Sequence, residues 1–337
     1  MTKEPDKIRT EGFKEILNII ENAKLSAYRA VNKELIEMYR AIGEHVSNKI
    51  KAGVWGENTV NEVSEYIQRR NPGISGFSPQ NLRRMRLFYE TYKDDAICSP
   101  LVNELSWTIN VMIMSCKTCA EREFYLRLAI RNNHSKREME RQISSSLYER
   151  TILSKNSKIN AELADKYRGL TALRDNFVLE FLDVPKDHKE KDLRSGIVSN
   201  LREFILELGK DFSFIGEEYR VQVGNSEFYI DILFFDREFR CLVAVELKTG
   251  SFRPDHIGQM QLYLEALDRN VRKEDENLSV GLILCTDKDD TVVEYMLAKS
   301  STPSKIAVYE LSLPDKKLLQ QRVKELKEIA EGNGGPR

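Results

Sequence analysis

Three ionisable residues stand inside a stretch that is otherwise strand-forming and apolar. Phe228 to Gly250 reads FYIDILFFDREFRCLVAVELKTG. Phe228 to Phe235 is a β-branched and aromatic run containing one acid, Asp231; Asp236, Arg237 and Glu238 form a polar break; Phe239 to Leu247 is a second strand that meets Glu246 and Lys248 at its end. Side chains alternate along a strand, so Glu246 and Lys248 share a face, roughly 6.6 Å apart. Ionised groups in such a strand are costly unless they are paired or hold a metal. Two readings follow. One is a buried ion pair, for instance Asp231 with Lys248. The other is a centre in which Asp231, Glu246 and the Leu247 carbonyl hold a hard cation such as Mg²⁺ or Mn²⁺, with Lys248 placed to stabilise negative charge developing on a phosphate.

Asp231 on one hairpin strand and Glu246-Leu247-Lys248 at the end of its partner resemble the signature of the PD-(D/E)xK nucleases, with Ile230 where that motif carries proline. Downstream, Asp255 to Leu267 is amphipathic, and Gln259 and Tyr263, four apart, share one helix face. They resemble the Gln-xxx-Tyr motif of exonuclease-like members; the plainer reading is an ordinary exposed glutamine. Upstream, Lys189 to Leu208 predicts one helix, with Leu193, Ile197, Leu201, Phe204 and Leu208 at helical spacing. Glu190 falls on the centre of that apolar stripe, whereas Glu203 lies roughly 140° away, a solvated position. Glu190 then reads either as an additional acid of the site or as an N-terminal acid favoured by the helix dipole.

These elements sit in a chain of 337 residues, enough for two or three domains. Hydrophobic content of 41% with 31% charged residues indicates a soluble globular protein with long helices. No apolar run reaches the length of a membrane span, the polar start MTKEPDKIRT is unlike a signal peptide, and five scattered cysteines point to a reducing cytoplasm. Charge is uneven: residues 1–150 carry 24 basic against 20 acidic side chains, residues 151–337 carry 28 against 33. A basic first part could supply phosphate contacts to an acidic second part.

The first 150 residues read as helical. Residues 11–53 form one long helix whose seam, from Phe13 through Leu17, Ile20, Leu25, Tyr28, Val31, Leu35 and Met38 to Ile42, has near-heptad spacing and is suited to a bundle or a dimer contact. Thr59 to Arg70 is a second helix. After the break NPGISGF, Ser78 caps a third that starts at Pro79 and runs to about Tyr92, with Leu82, Met85, Tyr89 and Tyr92 inward. Arg83, Arg84 and Arg86 stand on its other faces, so the pair reads as helix-turn-helix-like and these arginines as candidate DNA contacts, although the seven-residue break exceeds the usual turn and arginines on a helix are often simply solvated. Cys116 and Cys119 lack the two further ligands that zinc needs. Residues 151–185 read as a linker with a helix around Arg174 to Phe181, and residues 186–337 as a domain ordered helix, three strands, helix, strand, helix, strand.

The whole chain is similar to the YhcG family of bacterial proteins. The likeness is carried by GFSPQNLRRMRLFYETY (76–92), ELSW (104–107), FYLRLAI with SLYER, FILELGKDFSFIGEEYRV (204–221), FYIDILFF, ELKTG and IGQMQLYL. Two departures are visible: Thr108-Ile109 stands where a polar or His-containing dipeptide is expected, and Arg194 where an acid is expected. The resemblance implies an all-helical N-terminal domain (1–150) for DNA binding or oligomerisation and a C-terminal restriction-endonuclease-like α/β sandwich with a mixed sheet. It implies a cytoplasmic Mg²⁺- or Mn²⁺-dependent nuclease acting on DNA, with RNA left open, self-assembly through the N-terminal helices and restriction-modification components as partners, and no membrane. The other class is a catalytically silent DNA-binding or assembly subunit. Intact Asp231, Glu246 and Lys248 favour the enzyme.

Overall fold

The computed structural model describes residues 4–56, 58–154, 167–185, 187–298 and 302–332. The chain divides into two compact units, Met1–Arg141 and Gln142–Arg337.

The first unit is helical: α1 (Glu4–Lys51), α2 (Thr59–Arg70), α3 (Pro79–Tyr92), α4 (Cys98–Leu101), α5 (Trp107–Met114), α6 (Cys119–Asn132) and most of α7 (Lys136–Ser144). Its core gathers Tyr39, Val46, Val60, Leu82 and Met85, with Trp107 and Phe77 packed against them. Gly43 sets how closely α1 and α3 approach. A Cβ there would lie 2.0 Å from the Met85 carbonyl oxygen, backbone that cannot yield. Ser78 caps α3 as its sequence predicts, its hydroxyl accepting from the Asn81 N–H at 3.3 Å. The inward face of α3 is Leu82, Met85, Phe88 and Tyr92; Tyr89 is only half-buried, and Phe88 takes the inner position instead.

The second unit holds α8 (Leu147–Ser154), α9 (Glu190–Ser199), α10 (Leu201–Leu208), α11 (Asp255–Asn270), α12 (Asp290–Ala298) and α13 (Lys316–Gly332) around one mixed sheet. Its strands are β1 (Asn176–Val178), β2 (Phe212–Val223), β3 (Ser226–Asp236), β4 (Cys241–Leu247), β5 (Asn277–Cys285) and β6 (Ser304–Glu310), in the order β1-β6-β5-β4-β3-β2. β2, β3 and β4 pair antiparallel; β4, β5, β6 and β1 pair parallel. Parallel strands buried on both faces carry unbroken apolar runs, as LSVGLILC does in β5. One hydrophobic cluster joins Leu193, Ile197 and Phe204 of α9 and α10 to Ile232, Val243, Val245 and Leu282. A second joins Ile257, Met260, Tyr263 and Leu264 of α11 to Leu233, Ala244 and Ile283.

Two expectations are corrected. The stretch read as a helix around Arg174 to Phe181 contains β1, an edge strand paired with β6, and Leu170, Leu173, Phe177 and Leu179 are buried in the first of those clusters. Residues 167–185 therefore belong to the second unit, with Leu170, Leu173, Phe177 and Leu179 in its core; the rest of the stretch read as a linker lies largely outside the described residues. A three-residue strand is too short to show a period, so only its partner reveals it. The helix expected from Lys189 to Leu208 is broken at Asn200, whose φ of −117° and ψ of 38° leave the helical region. Asn caps readily by bonding to nearby backbone, and Asn200 Nδ2 donates to the Gly196 carbonyl at 3.0 Å.

Candidate active site

The ladder between β3 and β4 ends at the pair Ile232–Val245. One residue further along, the strands exchange a side-chain bond instead. The Leu247 N–H donates to Asp231 Oδ2 at 2.9 Å, while Lys248 N–H turns to the Leu284 carbonyl at 2.8 Å. The splayed end of the hairpin thus brings the Asp231 carboxylate beside the Glu246–Lys248 segment. Lys248 Nζ donates to Glu246 Oε1 at 2.9 Å and lies 3.7 Å from Glu190 Oε2. Asp231, Glu246, Lys248 and Glu190 therefore form one group, with Lys248 between two acids. The simple pairing of Asp231 with Lys248 is replaced by a different one: Asp231 Oδ1 accepts from Arg194 at 2.9 Å.

Glu246 is 4% exposed, and its Oε2 has no hydrogen-bond partner. Burial, reinforced by the charge of Asp231, pushes its carboxyl up from 4.5 to about 7, against the pull of Lys248. Burial alone would lower the Lys248 ammonium, but the Glu246 carboxylate and then the charges of Glu190 and Asp231 raise it, so Lys248 keeps its proton. Glu190 is not on a buried stripe; its side chain is 45% exposed at the start of α9.

Gln259 and Tyr263 meet on one face of α11, Gln259 Nε2 donating to the Tyr263 hydroxyl at 2.7 Å. That hydroxyl donates to the Tyr229 carbonyl at 2.9 Å, which fixes α11 to the site end of β3. Burial and then the charge of Glu246 raise the Tyr263 phenol. His256, 6% exposed, opens the same helix; burial and then the nearby Lys248 lower its pKa. The Arg253 N–H donates to His256 Nδ1 at 3.3 Å.

Among the described residues, no three or more His, Cys, Asp and Glu side chains come together as a metal site. A cage of three carboxylates is therefore not what Glu190, Asp231 and Glu246 form. The donor chemistry does suit one hard cation between Asp231 and Glu246: two carboxylates on adjacent strands, where the β3–β4 pairing ends, one with a buried, unpartnered oxygen.

On α3 in the first unit, Arg83 and Arg84 are exposed and Arg86 is half-buried. Arg83 donates to Asn61 Oδ1 at 3.0 Å, and Arg86 lies 3.7 Å from Glu90.

Sequence reasoning missed the role of Arg194, which appeared only as a departure from an expected acid. The signal was present: Arg194 follows Glu190 by four residues, one helix turn on the same face. His256 carried no signal beyond being a lone histidine.

Comparison with known proteins identifies the family. Residues 170–324 match the YhcG PDDEXK nuclease domain, and residues 15–150 match the DUF1016 N-terminal domain. "Putative nuclease YhcG" of Escherichia coli (strain K12) is 30% identical over 351 residues, covering 92% of this chain and 93% of that protein. The chain belongs to the YhcG family. Among solved structures, the crystal structure of a repair endonuclease from Pyrococcus abyssi aligns with 38% of this YhcG-family chain and 49% of its own, at 16% identity and a TM-score of 0.25, a likeness too slight to carry an argument. Within the described residues, no helix of this family member is long and apolar enough to cross a membrane.

Proposed function

We propose that this YhcG-family protein is a Mg²⁺- or Mn²⁺-dependent nuclease that hydrolyses phosphodiester bonds in DNA. The observation that carries this reading is the Glu246 carboxylate, buried with one oxygen unpartnered, on the strand segment that Lys248 and Asp231 both engage. Asp231, Glu246 and the Leu247 carbonyl would hold the cation, which when bound polarises the scissile phosphate and makes water a stronger nucleophile. Lys248, fixed by Glu246 and Glu190, presents its ammonium where charge develops on the phosphate. Glu190, half exposed, can orient the attacking water through its carboxylate. Tyr263, held by Gln259, keeps α11 against β3 and closes one side of the site.

The first unit would add nucleic-acid binding or assembly. Exposed Arg83 and Arg84, with Arg86 beside them, suit phosphate contacts by α3 in a helix-turn-helix-like arrangement. Ile16, Leu17 and Ile20 are all at least 44% exposed along α1, which supports a homo-oligomer through these helices. Five scattered cysteines accord with a cytoplasmic setting, where restriction-modification components are candidate partners.

The test is incubation with labelled duplex, branched and single-stranded DNA, and RNA, with and without Mg²⁺ or Mn²⁺. Metal-dependent cleavage of DNA is expected. A folded protein that binds DNA but cleaves none of the forms under any metal condition would point to a silent binding subunit instead.

A further inference from the structure

Arg194 divides its guanidinium between two acids. Nη1 donates to Asp231 Oδ1 at 2.9 Å, and Nη2 donates to Glu218 Oε1 at 2.7 Å. The other Asp231 oxygen takes the Leu247 N–H. Both oxygens of the carboxylate that faces the candidate cation position are therefore engaged, one of them by a full positive charge. The second anchor differs in kind. Glu218 lies on β2 between the pairs Glu217–Ile232 and Tyr219–Ile230, its φ is +43°, and its side chain is 60% exposed. A non-glycine residue in that left-handed conformation is held there at a cost and so marks a constrained position. Arg194 itself is 15% exposed.

The two cations against these carboxylates are already committed. Lys248 serves Glu246 and Glu190, and Arg194 serves Asp231. A divalent cation held by Asp231 and Glu246 would meet the guanidinium at short range, where like charges in a half-buried site repel strongly. Arg194 has a way out, because Glu218 reaches toward solvent. Its planar fork binds phosphate as readily as carboxylate. We infer that Arg194 is a metal-gated phosphate-binding residue: it neutralises Asp231 in the resting site, yields that carboxylate to an incoming divalent cation, and then takes a phosphate of the bound nucleic acid. This rests on the nuclease reading above.

Calorimetric Mn²⁺ titration of the full chain without nucleic acid tests the gate. Arg194→Gln should bind Mn²⁺ roughly tenfold more tightly than the parent, because the competing charge is gone. Glu218→Gln, which removes the anchor Arg194 retires to without touching Asp231, should weaken it, and it carries the test if Arg194→Gln does not fold: an unchanged affinity in Glu218→Gln then overturns the gate. Asp231→Ala should abolish binding. If the parent binds Mn²⁺ through Asp231 but folded Arg194→Gln binds equally or more weakly, Arg194 is a fixed positioning residue and the gate is overturned while the nuclease reading stands. If neither the parent nor the variants bind Mn²⁺, the cation site and the gate fall together. The phosphate half is read from oligonucleotide binding against salt: with Ca²⁺ present, Arg194→Gln should show a slope shallower than the parent by about one unit, with no difference when Ca²⁺ is absent. Equal slopes under both conditions overturn it.

Discussion

Two groups of buried charge in the second unit, one around Glu207 and one around Glu246, are built to opposite ends. Around Glu207, the charges are spent on one another. Glu207 is 0% exposed, accepts from Arg150 at 2.7 Å and from the Val178 N–H at 3.0 Å, and lies 3.7 Å from Arg174. Arg150 also donates to the Ser145 carbonyl, the Ser145 hydroxyl and the Asn176 carbonyl. Around Glu246, a buried carboxylate has one partner, an empty lone-pair side and a proton affinity raised to about 7. A cluster whose charges bind one another ties α8, α10 and β1 together. An unsaturated one carries a free-energy deficit that a ligand can remove.

That contrast can be broken by experiment. The largest effect should come from Glu207→Ala, which strands Arg150 in the interior; a loss of about 3–5 kcal/mol in unfolding free energy is expected from urea titration. A loss under about 1 kcal/mol would mean the cluster is not what joins these elements. Next is Lys248→Ala. If it acts in chemistry, cleavage should fall by roughly 10²–10³, on the order of 2.7–4 kcal/mol in the barrier, with binding of DNA and melting temperature near parental. A collapse of stability in place of lost cleavage would move Lys248 into the structural class with Arg150.

A smaller effect concerns pH. The folded pKa of Glu246 lies above its unfolded value, so between about 4.5 and 7 the native chain holds more of this proton than the unfolded chain does. Its contribution to stability is therefore favourable at low pH and is lost as pH rises through that window. Urea midpoints at about pH 5 and pH 8 should converge in Glu246→Gln relative to the parent; an unchanged difference assigns the pH dependence elsewhere. Smallest is the change at the exposed charges of α3. Replacing Arg83 and Arg86 by Ala should flatten the salt dependence of DNA binding by about one unit for each phosphate no longer neutralised, with little change in stability. An unchanged slope would make α3 a purely structural helix.

Much of this was legible in the sequence because it followed short periods and local chemistry. The β3–β4 hairpin, the Ser78 cap, α11 with Gln259 and Tyr263, and the pairing of Glu246 with Lys248 all rest on residues whose spacing fixes their face, whereas the same spacing put Glu190 on a buried stripe that it does not occupy. What escaped depended on partners distant in sequence. β1 is a strand only because β6 lies beside it, and Arg194 finds Asp231 and Glu218 on two other elements. Glu207, fully buried in the cluster with Arg150, sits at a position where periodicity alone cannot tell a misplaced acid from a paired one.

The parallel pairing of β1 with β6 has a consequence for the order of synthesis. Asn176 leaves the ribosome long before Val308, the residue it must lie beside. The hairpin carrying Asp231, Glu246 and Lys248 needs only neighbouring chain and can close while translation continues. β1 must wait, its edge uncovered, until β6 emerges and slots between it and β5. The nascent chain would therefore assemble the hairpin that bears its reactive residues before the far edge of its sheet is sealed. A stalled or truncated chain lacking residues 304–310 would be left with that hairpin built and β1 and β5 both exposed, a template for association with other chains.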